Sequence, residues 1–530
     1  MIKAILKVFK TIGQVLLATV VFLCVCELLF RLLGLPGGTS DFAESVLMKE
    51  HLRAYKPKNE FRIFAYGEST IHGCHYAPVS SPPRWLEFYL KDLLPGKKIR
   101  VINFGRLGKG SDFALTTLRD TYEYHPDLAI FYLGHNDYNE RHRKTTVEAE
   151  RKTAGYQFKE LIKKSHFLSF FWRQAIRAKI KRKAKKYEDQ VGYDLIETPV
   201  CSGMGEELAV PRNNPFFKEN AEFFKGNILD IVRFGEKHKL PMIFFTPVSN
   251  LKDFAPNFSE HLRPLSPEEL SEWQSLYDEG KAAQDRGDVV RALPLLEQAY
   301  AIDDSYAELA FRIGQLYFRQ GELAKAKRFF ERGRDFDAII CRAPREIIDI
   351  IQELPRSPGL DVIDTEKVVA AELPGGILGE PMIEDNVHFS VRGHALLGRA
   401  LAEKIAEHDW IAPKSAWQWD REKPYAVMYR EIGVNDPILF AADLKMIHFL
   451  GPRFENRIRF AERAIKKFPD DPRGYRSLAW TYWLMGDKDK AIEVYRKLEK
   501  IHPESLQEVF QEQPAVKKAY EKSAAATKAA

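Results

Sequence analysis

The chain has 530 residues and a formal net charge of +6, with 45% hydrophobic and 29% charged side chains. That length allows about two to four domains, and the composition is ordinary for a globular protein. So small a charge excludes nucleic-acid binding as a property of the whole chain.

The first element is apolar. Residues 11–30 carry only Gln14, Thr19 and Glu27 as polar interruptions. At 1.5 Å per residue such a run spans about 30 Å, the thickness of a bilayer's hydrocarbon core. Lys3, Lys7 and Lys10 precede it and Arg31 follows, so the positive-inside rule places the N-terminus in the cytoplasm and the body outside. The run is followed by LLGLPGG, with no A-x-A-like cleavage site. Residues 1–37 therefore read as a retained signal-anchor helix rather than a cleaved signal peptide. The expected location is a single-pass membrane protein with an extracytoplasmic catalytic body, periplasmic in a Gram-negative cell. Of the five cysteines, Cys24 and Cys26 lie in this run. Cys74, Cys201 and Cys341 remain, an odd set without C-x-x-C spacing. That is neither a disulfide framework nor a zinc site, and one bridge among the three stays open.

Residues 38–60 are mixed and polar, the composition of a tether. Short apolar runs then mark strands at 62–66, 99–104, 128–133, 242–246 and 360–364, and helical patterns mark 84–94, 112–124 and 220–238. Strand–helix–strand alternation with strands apolar on both faces predicts a three-layer α/β fold around a parallel sheet. It occupies residues 61–265 and 341–412. In such sheets, sites form outside the carboxyl ends of the strands.

Two insertions interrupt the alternation. The first, about 140–216, holds HFLSFFW followed by RQAIRAKIKRKAKK, with eight Lys/Arg in the latter fourteen residues. It reads either as a solvated helix face or as an aromatic-plus-basic element on an anionic membrane surface. The second, 266–340, has a period of 34. Leu276, Gly280, Ala283, Gly287, Ala292, Leu296 and Ala299 recur in register as Ala310, Gly314, Tyr317, Gly321, Ala326, Phe330 and Gly333. Tyr475, Ala479, Tyr482, Gly486, Ala491, Tyr495 and Pro503 repeat the pattern within 413–530. Small residues let paired helices approach and larger ones fill the seam, an arrangement that resembles the tetratricopeptide repeat and implies a surface for a protein partner. The closing SAAATKAA looks like a disordered tail.

Four segments fall at strand ends and carry chemistry. GES, residues 67–69, follows the first strand; NFGRLGKGS, 103–111, the second; YLGHNDYNE, 132–140, the third; and EDNVHFSVRGHALLGRALA, 384–402, opens a late helix. Together they fit acyl transfer. The Ser69 hydroxyl needs a base to become a nucleophile, and His388 supplies one near neutral pH. Asp385, three residues earlier, can hold the imidazole's other nitrogen and so fix its tautomer. The backbone N–H groups of Ser69 and Gly108 and the Asn136 amide are the donors available to an oxyanion, each worth roughly 3 kcal/mol. His72, Asn250 and Arg342 are expected to line the substrate pocket. His72, Cys74 and His75 crowd three ligand types into four residues, poor geometry for one tetrahedral ion, so no metal is assigned. The Gly105, Gly108 and Gly110 spacing reverses the dinucleotide fingerprint and sits on the second strand–helix unit, so no cofactor is assigned.

This set resembles the SGNH (GDSL-like) hydrolase superfamily. Ser69 matches the nucleophile of its first block, Gly108 the glycine of the second, Asn136 the asparagine of GxND, and Asp385 with His388 the DxxH block. Glu68 departs from the usual aspartate at a position without a part in the family's acyl chemistry. The whole is similar to a membrane-anchored bacterial subgroup with tetratricopeptide repeats inserted before the last block. The resemblance implies a membrane-anchored esterase acting on an O-acyl or O-acetyl ester of an envelope glycan or lipid. Its alternatives are an O-acyltransferase using the same triad and an envelope scaffold with a vestigial site.

Overall fold

The computed structural model describes residues 2–139, 141–188, 208–451 and 453–529. The five apolar runs become β1 (Glu60–Gly67), β2 (Lys98–Gly105), β3 (Leu128–Tyr132), β4 (Met242–Phe245) and β5 (Leu360–Ile363). They form one sheet in the order β2-β1-β3-β4-β5, every pair parallel. The chain steps from β1 to one side and then returns to the other, so the strand order reverses at β1. The crevice at such a reversal is where open α/β sheets place their sites.

The helices follow in chain order. α1 (Ile2–Leu32) and α2 (Asp41–Lys49) precede the sheet; α3 (Ser69–His72) and α4 (Pro82–Leu93) lie between β1 and β2, and α5 (Ser111–Thr121) before β3. α6 (Arg143–Lys152), α7 (Ala154–Lys164), α8 (His166–Glu188) and α9 (Pro215–His238) lead to β4. α10 (Pro267–Asp285), α11 (Val289–Ile302), α12 (Ala307–Arg319), α13 (Leu323–Asp335) and α14 (Arg345–Gln352) precede β5. After it come α15 (Thr365–Ala370), α16 (Val391–Glu407), α17 (Tyr425–Glu431), α18 (Asp436–Phe449), α19 (Phe454–Lys467), α20 (Pro472–Leu484), α21 (Lys488–Ile501), α22 (Pro503–Glu512) and α23 (Pro514–Ala529).

Side chains alternate across the pleat, so each strand feeds two cores. Ile63, Ala65, Ile130, Tyr132, Ile243 and Phe245 pack with Trp85 and Leu86 of α4 and Leu397 and Leu401 of α16. Phe64, Tyr66, Phe131 and Phe244 face Leu115 of α5, Phe224 and Ile228 of α9 and Ile347 of α14. Three layers result. The inserted repeats pack as helical hairpins, α10 on α11 and α12 on α13. A Cβ on Gly280 would lie 2.6 Å from Leu296, and one on Gly314 2.8 Å from Phe330. The two glycines stand one period apart, and each admits the large side chain that its own repeat supplies. The C-terminal helices have a separate core built on Phe460, Ala479, Ala491, Tyr495 and Leu498, to which Phe254 of the catalytic unit is added.

Of α1, Lys10–Leu32 is long and apolar enough to cross a membrane, and its most apolar part is not buried against the rest of the chain. The stretch 38–60, expected as a tether, instead contains α2, whose Ala43, Glu44 and Leu47 are buried. The basic run of the first insertion is not wholly a free face either. Arg173 and Arg177 both reach the buried Glu44, at 3.1 Å and 2.5 Å, because a carboxylate removed from water requires paired cations. The closing residues, expected to be disordered, continue α23 to Ala529. Cys341 is disulfide-bonded and Cys74 is a buried free thiol, while Cys201 lies outside the described residues.

α16 must approach α4 closely for the late segment to reach β1. A Cβ on Gly398 would lie 2.5 Å from Trp85 Cβ and 2.9 Å from the Leu86 amide nitrogen. Neither atom can yield without moving α4. Gly398→Ala is therefore expected to lower stability by about 1–3 kcal/mol through overpacking, read as an earlier midpoint in urea. An unchanged midpoint would show that the two helices have slack.

Candidate active site

β1 ends in a turn that only glycine can make. Gly67 has φ +146°, and a Cβ there would lie 2.1 Å from the Tyr132 carbonyl oxygen. Glu68 follows, and Ser69 opens the single-turn helix α3 at the point where the strand order reverses. The last segment comes from the far side of the sheet. Residues Ile383 and Phe389 bridge to each other, and Ser390 caps α16 through its side chain. Between them Asp385 Oδ1 accepts the N–H groups of Val387 at 2.9 Å and His388 at 2.7 Å. This closes the loop on the carboxylate and leaves Oδ2 for imidazole.

The resulting contacts form a chain. Ser69 Oγ lies 2.6 Å from His388 Nε2, and His388 Nδ1 lies 2.6 Å from Asp385 Oδ2. Asp385 Oδ2 also meets His75 Nε2 at 3.1 Å, and His75 Nδ1 meets the Cys74 thiol at 3.4 Å. Burial alone would raise the Asp385 pKa. The positive end of His388 and the hydrogen bonds from His388 and His75 outweigh it and hold the carboxyl far below the usual carboxylate range. Burial and the Asp385 charge push the Cys74 thiol up, so it stays protonated and donates to His75 Nδ1. That selects the tautomer in which His75 Nε2–H donates to Asp385.

Asn136 and Gly108 are brought together at the ends of β2 and β3. Gly108 has φ +66° in the turn after β2, and Asn136 Nδ2 donates to the next carbonyl, Lys109 O, at 3.2 Å. Glu68 organises this corner. It is buried and accepts N–H from Gly134 at 2.8 Å, His135 at 3.0 Å and Asn136 at 3.2 Å. Burial and neighbouring Asp137 raise its pKa against those three donors. The extra methylene relative to aspartate thus goes into spanning the loop that carries Asn136.

The three expected pocket residues lie in different settings. His72 is half-buried next to Ser69, its Nδ1 without a hydrogen-bond partner among the described residues, and burial and Lys49 lower its pKa to about 4. Asn250 and Arg342 are braces instead, a correction to their expected place in the pocket. Asn250 is fully buried and donates to the Ile383 carbonyl at 3.1 Å. Arg342 is buried against Asp337 and donates to the carbonyls of Asn250 at 3.1 Å and Phe254 at 2.7 Å. Both are spent on the wall behind the late segment.

Sequence reasoning missed four contributors. His75 and Glu68 flank Ser69 in sequence, and their acidic or basic character within an apolar stretch was the available signal. Phe449, at the end of α18, packs its ring 5.6 Å from His388 and 5.1 Å from His75. Glu384 accepts from Tyr76 at 2.5 Å and from Arg463 of α19 at 2.9 Å. No local pattern announced either. Beneath this cover only 8% of Ser69 is exposed. Donor atoms of Cys74, His75 and His388 lie within 4.8 Å of one another, and each is already engaged in the hydrogen-bond chain above.

Two tetratricopeptide-repeat family matches cover residues 283–338 and 477–505. No curated protein matches the chain. Among solved structures, the chain is similar to a lipase/acylhydrolase from Enterococcus faecalis (14% identity, 69% of this chain and 100% of that one, TM-score 0.28). It is also similar to an acetylxylan esterase from Geobacillus stearothermophilus (14%, 67% and 96%, TM-score 0.25). A GDSL-like lipase from Bacteroides thetaiotaomicron matches at 12% identity over 69% and 98%, with a TM-score of 0.27. The strand order and pairing give this chain a five-stranded parallel α/β sheet, to which tetratricopeptide-like helices are added.

Several histidines around the site are buried neutral. Burial, reinforced by the His388 charge, lowers His135 and His394 to about 3. Unfolded, each titrates near 6.5, the ordinary value for an imidazole. Their contribution to stability is complete above that pH and is lost as pH falls toward the folded values, about 1.4 kcal/mol per pH unit for each group. Urea midpoints measured from pH 7 to 4 are expected to fall steadily, and His394→Gln to flatten the slope. A midpoint flat across that range would contradict the buried neutral state.

Proposed function

We propose that the chain is a membrane-anchored serine esterase that works through an acyl-enzyme. The observation that carries this reading is the 2.6 Å approach of His388 Nε2 to Ser69 Oγ, with Asp385 held 2.6 Å behind Nδ1. His388 takes the Ser69 proton as Oγ attacks the ester carbonyl. Asp385 stabilises the imidazolium that forms, and its depressed pKa keeps it ionised throughout. Ser69 N–H, Gly108 N–H and Asn136 Nδ2–H are the donors for the oxyanion. Collapse of the tetrahedral intermediate expels the alcohol, which receives the proton from His388. Water, deprotonated by the same imidazole, then releases the carboxylic acid and restores Ser69.

Compartment follows from two features. α1 supports anchoring with the body outside the cytoplasm, and a disulfide at Cys341 fits an oxidising environment. The ester is an O-acyl or O-acetyl group on an envelope component, and the repeats offer a protein partner a surface. Transfer to a sugar hydroxyl is a second reading, favoured by the cover of Phe449 over a Ser69 that is only 8% exposed. Excluding water from an acyl-enzyme lets another hydroxyl compete.

The full-length chain is expected to turn over a short-chain aryl ester and to take a fluorophosphonate label. Ser69→Ala is expected to abolish the label and cut turnover by at least about 10³-fold. Serine-independent turnover, or none with no label, would end the esterase reading. Turnover that rises with added saccharide, giving acylated sugar, would establish transfer.

His75 adds a second imidazole to the triad carboxylate, and it is a positioning residue. His75→Phe is expected to lower kcat about 10–100-fold, the value of one hydrogen bond to a buried charge, with KM little changed. His75→Gln, which can still donate, is expected to recover most of it. Equal losses in both variants would reduce His75 to packing.

A further inference from the structure

The helical hairpin α7–α8 leaves large apolar side chains in the open. Phe158 and Leu161 on α7 are 62% and 63% exposed, and Leu168 and Phe171 on α8 are 44% and 56% exposed. Each pair stands three residues apart, so each lies on one face of its helix. The hairpin is not a remote surface. Its corner is clamped to the end of α1: Glu27 accepts the N–H groups of His166 and Phe167 and the Ser165 hydroxyl, at 3.1, 3.1 and 2.8 Å. Arg31 donates to the Lys164 carbonyl at 3.2 Å, and Phe30 packs edge-on against Phe167 and Phe170. The exposed aromatic residues thus continue the apolar surface of α1 at the level where its span ends, at Leu32. Lys159, Lys164, Lys181 and Arg182 are exposed on the same two helices.

We infer that α7–α8 is an interfacial foot that lies in the headgroup region of the leaflet from which α1 emerges. This rests on reading α1 as a membrane span. Phe158, Leu161, Leu168 and Phe171 enter the acyl boundary while the basic side chains meet lipid phosphates. A free protein surface rarely leaves four large apolar groups beside a fifth apolar element, and the neighbouring element names the occupant as bilayer. The foot also orients the enzyme. Leu33 and Gly34 line a cavity together with Glu60, Lys98 and Asp127, which stand at the starts of β1, β2 and β3. Ser69 stands at the opposite edge, beyond the eight residues of β1, a strand of about 26 Å. The reacting edge is held off the anchoring leaflet, so the ester it meets is carried by a molecule that stands clear of that leaflet's lipids.

The test uses the full-length chain in nanodiscs of phosphatidylcholine and phosphatidylglycerol. An environment-sensitive fluorescent amino acid is placed singly at Leu17, Leu161, Phe171 or Val290, each variant first shown to melt as the parent does. Lipids carrying a nitroxide near the headgroup are expected to quench the probes at Leu161 and Phe171 by about two-fold or more. Deep-chain nitroxides should quench Leu17, and the probe at Val290, which is 86% exposed on the inserted repeats, should respond only to aqueous iodide. If Leu17 is quenched while Leu161 and Phe171 behave like Val290, the foot is overturned and the span stands. If Leu17 escapes lipid nitroxides, the span itself fails and the foot with it.

Discussion

The hydrogen bond between Ser69 and His388 joins residues 319 positions apart, and much of the architecture is a means of keeping it. Neither partner is placed by its neighbours in sequence alone. Ser69 is fixed by the glycine turn at the end of β1, where Gly67 meets the Tyr132 carbonyl and no side chain fits. His388 is fixed by α16, which starts three residues after it and docks on α4 through Gly398 and Trp85. Ser80, beside Trp85, lies 3.0 Å from His394 Nδ1 and accepts the Trp85 indole N–H. The packing of α4 against α16 therefore sets the distance between Ser69 and His388. The inserted array of two helical hairpins starts and ends at one place, where the Ala338 N–H donates to the Phe258 carbonyl at 3.0 Å and the Asn257 N–H to Asp337 at 2.9 Å.

Burial gives the site its electrostatic character. Asp385, His75 and Glu68 are all nearly removed from water. A carboxylate in such a place is tolerated only with donors on its oxygens. Asp385 has two amides and two imidazoles, and Glu68 has three amides. The two acids do different work with the same device. Asp385 holds the His388 imidazole, and Glu68 holds the loop that carries Asn136. Since the donors are fixed before any substrate arrives, little reorganisation is left for the moment of reaction.

Periodic features of this fold were legible in the sequence, and features that depend on distant partners were not. Apolar runs of strand length located β1 to β5, and the 34-residue spacing located the helical hairpins, because both follow from local geometry. The Ser69 and Asn136 segments fall at strand ends, and Asp385 with His388 opens a late helix, which is why these four residues could be singled out. Asn250 and Arg342 also follow strand ends or loops, which is why they read as pocket residues, yet their partners are carbonyls and Asp337 inside the wall. A strand-end position shows where a side chain starts, and only packing decides which way it turns. The tether at 38–60 failed for a related reason. Its polar Glu44 is the buried counter-charge of Arg173 and Arg177, more than a hundred residues away.

The C-terminal helices are more than an appended module. Phe449 of α18 touches the rings of His388 and His75, and Arg463 and Arg459 of α19 hold the side chain and carbonyl of Glu384, the residue before Asp385. Arg463 also pairs with Asp443 of α18 at 3.0 Å, so the two helices grip the Glu384–Asp385 loop as one unit. Their other side belongs to the C-terminal core with α20 and α21. One face of this helix pair packs on the repeat helices, and the other touches His388 and the Glu384–Asp385 loop. His388 and Glu384 are thus both contacted by the two helices that help to build the C-terminal core.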